Sequence, residues 1–239
     1  MKVKTKELQN FLNKALMSGA QTITEGVLDF EKDGLKINAN DKLKTARTIS
    51  WLNRSCFVDY PEAGIGKVCL NELTKANEIL KRFGDLIELK KEGNLLSVSG
   101  DVGGRKKSVD IELVSETFLE TDAKEPTLDF DQTFNMSASA MSDILSDVKV
   151  NKDAFLTLTT KDKFVEFTNT GKYKFTNNVI APTVKEGVSV SLGEPFMNAV
   201  NNLDGEIQLS IKSDYPIKIM EKTESSIITL IVAPRVEKE

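Results

Sequence analysis

Residues 32–40 read KDGLKINAN and residues 161–169 read KDKFVEFTN. Each stretch sets Lys-Asp in a turn and then alternates apolar with polar side chains. Leu35 and Ile37 carry the pattern in the first, Phe164 and Phe167 in the second, and both end at Asn. Alternation with period two marks a strand with one buried face. The stretches lie 129 residues apart. The same shift carries Phe11, Leu12, Ala15 and Leu16 onto Ala140, Met141, Ile144 and Leu145. Both sets follow the i, i+1, i+4, i+5 spacing of one stripe of a short amphipathic helix. A shift shared by a helix stripe and a turn-strand unit argues for an internal duplication. The competing account is chance likeness between two strand-rich stretches.

A second helix is expected in each half. The first, Asn71 to Phe83, would bury Leu73, Ala76, Ile79, Leu80 and Phe83; the second, Glu194 to Leu203, would bury Phe196, Ala199, Val200 and Leu203, with Pro195 suited to a first helical turn. An alternating strand follows each, DLIELKK at 85–91 and GEIQLSIK at 205–212, where the shift has shrunk to about 120. The remainder reads as short strands separated by turn signals. Between the halves, residues 115–132 are acidic and contain Pro126, which suits an extended, exposed linker. The expectation is an α+β chain of two similar domains, 1–115 and 132–239, joined by a connector over 116–131. Each domain would have two short helices backed by antiparallel sheets.

Composition narrows the chemistry. With 40% hydrophobic and 28% charged residues the chain is that of a soluble globular protein, and no apolar run is long enough for a membrane span. MKVKTKELQN has no apolar signal core, so an intracellular protein is expected. The chain has no histidine, which removes the commonest general base and metal ligand. Its two cysteines, Cys56 and Cys69, read as small buried thiols. GIGK at 64–67 lacks the spacing of a phosphate loop and reads as a tight turn. No catalytic residue, cofactor or metal ligand is expected. A net charge of −4 argues mildly against a strong phosphate grip.

Three stretches then carry a family likeness: NELTKANEILKRFGDLIELKKEGNLLSV at 71–98, SDYPIKI at 213–219 and the terminus LIVAPRVEKE at 230–239. With the duplicated plan and acidic connector, they make the chain resemble the sliding clamps of the proliferating cell nuclear antigen (PCNA) type, archaeal members above all. The resemblance covers the whole chain. It implies a closed ring of three subunits, a homotrimer, that encircles duplex DNA and tethers DNA polymerase, with no chemistry of its own. It places the protein in the cytoplasm or nucleoid of an archaeon, or in the host compartment of DNA replication if viral. Ring closure would come from strand pairing between neighbours. The implied edges are Lys107 to Val114, with Val109, Ile111 and Leu113, and Lys172 to Val179, with Tyr173, Phe175 and Asn177. Their basic residues could also serve only to protect ordinary sheet edges from aggregation.

The four helices would line the hole, with Lys14, Lys75, Lys81, Arg82 and Lys149 as DNA-contact residues; solvated surface is an equal reading of each. The third helix departs from the family in showing Ser142, Asp143, Ser146 and Asp147, and the fourth shows Asn198, Asn201 and Asn202. The resemblance also implies a pocket for short motifs of polymerase, clamp loader, nuclease and ligase. Its residues would be Asn40, Asp41 and Lys44, then Pro126 and Leu128 in the connector, then Pro216, Val232, Ala233 and Pro234. Asn40 and Lys44 are more polar than the family's usual residues, which suggests a divergent partner motif. The alternatives are one subunit of a heterotrimeric ring, or a clamp-fold interaction protein that does not encircle DNA. An enzyme stands further off.

Overall fold

The computed structural model describes residues 1–119, 126–151 and 155–235. The chain divides into two compact units. One comprises Met1–Leu16, Thr22–Glu125 and Thr223–Ile228, the other Met17–Gln21, Pro126–Lys222 and Thr229–Glu239.

The first half runs β1 (Lys2–Lys4), α1 (Thr5–Ala15), β2 (Gly26–Glu31), β3 (Gly34–Asn40), β4 (Ala46–Asn53), β5 (Phe57–Asp59), β6 (Gly66–Leu70), α2 (Leu73–Leu80), β7 (Leu86–Glu92), β8 (Leu95–Val102) and β9 (Arg105–Glu112). Its strands pair antiparallel in two sets, β5-β1-β7-β8-β9 and β4-β3-β2-β6. The core is built from Leu8, Phe11 and Leu12 of α1, Leu73 of α2, and strand residues such as Leu35, Ile37, Ile87 and Val98, all buried.

The second half runs β10 (Gln132–Ser137), α3 (Ala138–Lys149), β11 (Leu156–Lys161), β12 (Phe164–Asn169), β13 (Thr176–Ile180), β14 (Ser189–Leu192), α4 (Glu194–Val200), β15 (Glu206–Ile211), β16 (Ile217–Lys222) and β17 (Ser226–Val232). Strands pair as β13-β12-β11-β14 and, in order, β10-β15-β16-β17. Met141 of α3, Phe196 of α4, and the strand residues Leu158, Phe167, Ile207 and Ile219 are each almost fully buried. Ser137 caps α3 by accepting from Ala140 N–H at 3.1 Å, and Pro195 sits in the first turn of α4.

The duplication is real, but its register differs from the expected one. The β2–β3 hairpin pairs Phe30 with Leu35 and Leu28 with Ile37; the β11–β12 hairpin pairs Thr160 with Val165 and Leu158 with Phe167. Leu35 and Ile37 therefore correspond to Val165 and Phe167, one residue beyond the 129 shift, and Phe164 is only half-buried. The helices correspond through Leu8 with Met141, Phe11 with Ile144 and Leu12 with Leu145, one helical turn beyond it. Both errors have one cause. A helix stripe nearly repeats after four residues, and a strand's Lys-Asp turn can slide by one, so a single shift can join motifs out of step. The later shift of 120 holds, pairing Leu80 with Val200, Ile87 with Ile207 and Leu89 with Leu209.

Element bounds also shift. Asn71 to Phe83 contains a helix only over Leu73–Leu80, followed by a turn closed by Phe83 N–H to Leu80 O at 3.1 Å. Glu194 to Leu203 is helical to Val200. Gly64 does form a tight turn, with φ +72°, and a Cβ there would lie 1.9 Å from Phe30 O. Residues 66–70 continue it as β6, with no helix to receive a phosphate. Cys69 is buried, whereas Cys56 is half-buried and its thiol meets Ser225 O at 3.5 Å.

Candidate functional site

In the first unit the β3–β4 loop encloses Asp41. Its carboxylate accepts from Thr45 N–H and Ala46 N–H, both at 2.7 Å, and from Thr45 Oγ1 at 2.9 Å. Asp41 is buried and its carboxylate shapes the loop. Asn40, Asp41, Lys42 and Lys44 border a cavity of about 450 Å³ whose apolar wall is Val27, Ala39, Phe118 and Leu119. Leu119 is buried against Val27, Cys69 and Val114. Lys67 pairs with Glu116, fixing the start of the connector. The expected exposed linker is thus tied down over 116–119, where two consecutive apolar residues follow Thr117. One of them, Phe118, is 81% exposed at the cavity rim, and Leu43 on the loop is 66% exposed. Neither was expected from sequence. Their signal was the FL pair inside an acidic run. Residues 120–125 of the connector lie outside the described residues.

In the second unit Pro126 and Leu128 are half-buried. Phe130 meets Tyr215 edge-on at 6.0 Å, beside Pro216, and Lys212 lies 5.6 Å from the Tyr215 ring. Lys212 also lies 3.7 Å from Asp129 and 3.8 Å from Asp131. Val232 is buried, and Ala233 and Pro234 are half-buried. The chain then docks: Arg235 N–H donates to Ser191 O at 2.8 Å, and its guanidinium stacks 4.1 Å from the Phe155 ring centre. The tail is therefore anchored at Arg235, one residue past the proline; residues 236–239 are outside the described set.

The helix faces differ between the halves. α1 exposes Lys6, Glu7 and Asn10, with Lys14 half-buried, and α2 with its trailing turn exposes Glu72, Lys75, Glu78, Lys81 and Arg82. Lys75 is 3.2 Å from Glu72, a weak surface pair. Asn77 of α2 donates to Asn13 of α1 at 2.7 Å. α3 exposes Ser142, Asp143, Ser146 and Lys149, while Asp147 accepts from Asn177 of β13 at 3.0 Å. Asn198 was expected on the open face of α4; instead its amide donates to Gln21 at 2.5 Å and its carbonyl accepts from Ser18 at 3.2 Å. Gly19 approaches so closely that a Cβ there would lie 2.5 Å from the Asn198 amide. Lys149, Ser142 and Asn201 border a cavity of about 570 Å³ with Asp204 and Glu206.

The two expected pairing edges are outer strands of their sheets, with altered bounds. The first strand spans Arg105–Glu112, and Leu113 lies past its end with N–H to Asn94 O at 2.8 Å. The second spans Thr176–Ile180. Tyr173 and Phe175 precede it because asparagine side chains take all but one of their bonded backbone groups, the exception being Phe175 O, which accepts from Asn169 N–H at 3.4 Å. Asn151 bonds both Tyr173 N–H and O, at 2.9 and 2.6 Å, and Asn169 accepts from Phe175 N–H at 2.6 Å. Val109, Ile111, Phe175 and Asn177 are half-buried, and Tyr173 is 53% exposed.

Among the described residues no helix is long and apolar enough to cross a membrane. No protein-family model matches the chain. It is similar to DNA polymerase sliding clamp 2 of Pyrobaculum aerophilum, 23% identical over 240 residues that cover 90% of this chain and 91% of that protein. Among solved structures it is similar to the proliferating cellular nuclear antigen of Entamoeba histolytica, with TM-score 0.81, 15% identity and 98% of each chain covered. It is similar to A. fulgidus PCNA solved with the C-terminal region of FEN-1, with TM-score 0.83, 14% identity and coverage of 100% of this chain and 98% of that one. It is also similar to the PCNA2–PCNA3 complex of Sulfolobus tokodaii, with TM-score 0.79, 17% identity and 99% of each chain. The fold is that of the PCNA-type clamps, as the three sequence stretches led us to expect.

Proposed function

We propose that this chain is a sliding clamp subunit of the PCNA type, a scaffold that closes into a ring around duplex DNA and tethers polymerase and other replication and repair proteins. The observation that carries the reading is the duplicated strand-pairing plan, together with likeness to clamps along the full chain. β1·β7, β2·β3, β2·β6 and β7·β8 recur as β10·β15, β11·β12, β11·β14 and β15·β16. Such halves present two sheet edges that only closure removes.

The DNA would be held by topology more than by charge. Lys14, Lys75, Lys81, Arg82 and Lys149 are the candidate phosphate contacts. With few such residues per subunit, affinity depends weakly on salt and sliding is unhindered. Partner peptides would dock on Asn40, Lys44 and the Phe118–Leu119 wall in one unit, and on Pro126, Leu128, Pro216 and Val232 to Pro234 in the other, with an apolar anchor and backbone pairing. A FEN-1 segment is the kind of partner solved with A. fulgidus PCNA.

Retention on DNA tests the ring. Loaded by its clamp loader, the protein should stay on nicked circular DNA and run off linear DNA; equal retention on both would sink the reading. Ala233→Asp with Pro234→Glu should abolish peptide binding by fluorescence polarisation and leave the assembled mass unchanged. Loss of both would make the segment purely structural. A second reading, one subunit of a mixed ring, is favoured by the two different PCNA chains of the Sulfolobus complex.

A further inference from the structure

The register of the duplication, one residue beyond the 129 shift, carries the loop Asp41-Lys42-Leu43-Lys44 onto Gly171-Lys172-Tyr173-Lys174. Each loop raises one large side chain between two lysines, with Leu43 66% and Tyr173 53% exposed. β13 begins only at Thr176, so Lys172 and Lys174 stand before the strand and not on its edge. In the first unit the loop borders the cavity of about 450 Å³. The same register gives the residues of that cavity counterparts in the second unit. Val27 opposite Cys69 becomes Thr157 opposite Ser191, and two residues earlier Glu25 becomes Phe155. Val114 N–H donates to Cys69 O at 3.1 Å as Arg235 N–H donates to Ser191 O at 2.8 Å, so Arg235 takes the place of Val114.

The two surfaces differ in charge. The first sets Glu25 and the buried Asp41 against Lys42 and Lys44. The second loses both acids, keeps both lysines and adds Arg235. Gly171 leaves no room for an acid, since its φ is +118° and a Cβ there would lie 2.7 Å from Asn151 Cγ. The parts of the second surface adjoin one another. Thr170 N–H donates to Phe155 O at 3.0 Å and Phe155 N–H to Thr170 Oγ1 at 3.1 Å, while the Arg235 guanidinium lies 4.1 Å from the Phe155 ring centre. Asn151 holds Tyr173 through both backbone groups, and Lys172 Nζ lies 5.5 Å from the Tyr173 ring centre. Lys172, Lys174 and Arg235 are all exposed.

Resting on the clamp reading only for peptide docking at the first-unit cavity, we propose that residues 170–174, Phe155 and Arg235 form a second docking site, whose partner is an acidic protein segment with an apolar anchor. Positive charge beside exposed aromatic faces selects carboxylates that flank an apolar side chain. The first unit already shows such a segment beside its Lys-Leu-Lys loop. In ETFLE at 116–120, Phe118 and Leu119 form the apolar wall of the cavity and Glu116 pairs with Lys67. A chain paired along β13 leaves the site open, as the first unit again shows. There Asn53 N–H donates to Ser225 O at 2.8 Å at the far end of β4, and Lys42, Leu43 and Lys44 at its near end stay exposed.

Fluorescence polarisation on the full chain tests the site, with labelled SETFLET, the sequence of residues 115–121, as the probe. Lys172→Glu with Lys174→Glu should weaken binding by about tenfold, and Arg235→Ala by less. Lys42→Glu with Lys44→Glu should leave it within about twofold, because the first surface is balanced in charge and carries its own apolar wall. A probe with both glutamates replaced by lysine should bind wild type poorly and bind the Lys172→Glu, Lys174→Glu chain well, which a misfolded variant would not do. Binding that ignores the second loop, or that falls equally with either pair of lysines, overturns the site. A short DNA duplex that displaces the probe, and is itself released by Lys172→Glu with Lys174→Glu, overturns the peptide partner in favour of phosphate. Should Ala233→Asp with Pro234→Glu fail to release a FEN-1 C-terminal peptide while the Lys172 and Lys174 changes release SETFLET, the clamp pocket falls and the second site stands.

Discussion

The two helix pairs stand on the same scaffold and show opposite surfaces. α1 and α2, with the turn after α2, expose Lys6, Lys75, Lys81 and Arg82 among Glu7, Glu72 and Glu78; α3 and α4 expose Lys149 with Asp143 and Glu194. Inward, the pairs agree residue by residue, Leu8 with Met141 and Leu80 with Val200. Burial dictates the inner stripe because packing tolerates little change of volume. Nothing in the packing dictates the outer stripe, so the halves could diverge there. A charge difference between them therefore reports function, or freedom from it, and not fold.

The largest test strikes the shared inner plan. Ile37 and Phe167 occupy the same place in the two hairpins, and both are fully buried. Phe167→Ala should cost about 3–5 kcal/mol and Ile37→Ala about 2–5, since each leaves a cavity and the aromatic leaves the larger one. Urea unfolding reads the difference. A negligible cost at either site would mean that half relaxes around the gap, and the two cores would not be equivalent.

A smaller effect separates the outer faces. If the phosphate-binding residues lie on the first half, Lys81→Ala with Arg82→Ala should lower the slope of log affinity against log salt by about 0.9 for each phosphate no longer neutralised, roughly twice the change from Lys149→Ala. Equal slopes for the two variants would erase the distinction between the helix pairs. Lys75 should matter less than Lys81, because Glu72 already lies against it.

The fold was legible where period and burial coincide. Four helices, the hairpins and the late strand β17 all follow from alternation or a 3.6-residue stripe. Register was not legible, because Phe11 and Leu12 match Ala140 and Met141 almost as well as they match Ile144 and Leu145. Edge bounds failed at Tyr173 and Phe175, whose alternation is that of a strand but whose backbone is held by Asn151 and Asn169. Side chains from elsewhere in the chain leave no trace in local pattern. Of the site residues, Asn40 and Lys44 do line a cavity, while its apolar wall came from Phe118 and Leu119, hidden in a stretch read as polar linker.

The smallest test concerns how each half secures its hairpin turn. In the second half, backbone does it: Lys163 N–H donates to Val184 O at 3.1 Å and Ala181 N–H to Lys163 O at 2.9 Å. In the first, backbone supplies one of these bonds, Arg54 N–H to Asp33 O at 2.9 Å, and a side chain supplies the rest. Tyr60 Oη lies 2.6 Å from Glu31 O and 2.9 Å from Gly34 O, its ring edge-on to Phe57 at 4.7 Å. Burial, opposed by nearby Arg54, pushes the Tyr60 hydroxyl up to about 12 from its usual 10. Only the neutral phenol can donate to those carbonyls. The folded value exceeds the unfolded one, so the contribution to stability is complete below pH 10 and is lost as pH rises towards 12. Tyr60→Phe should cost about 0.5–1.5 kcal/mol at pH 8. Between pH 10 and 12 the gap between wild type and variant should close, whatever the lysines do, because they titrate in both. A gap that stays constant through pH 12 would mean the hydroxyl is not what holds the first turn.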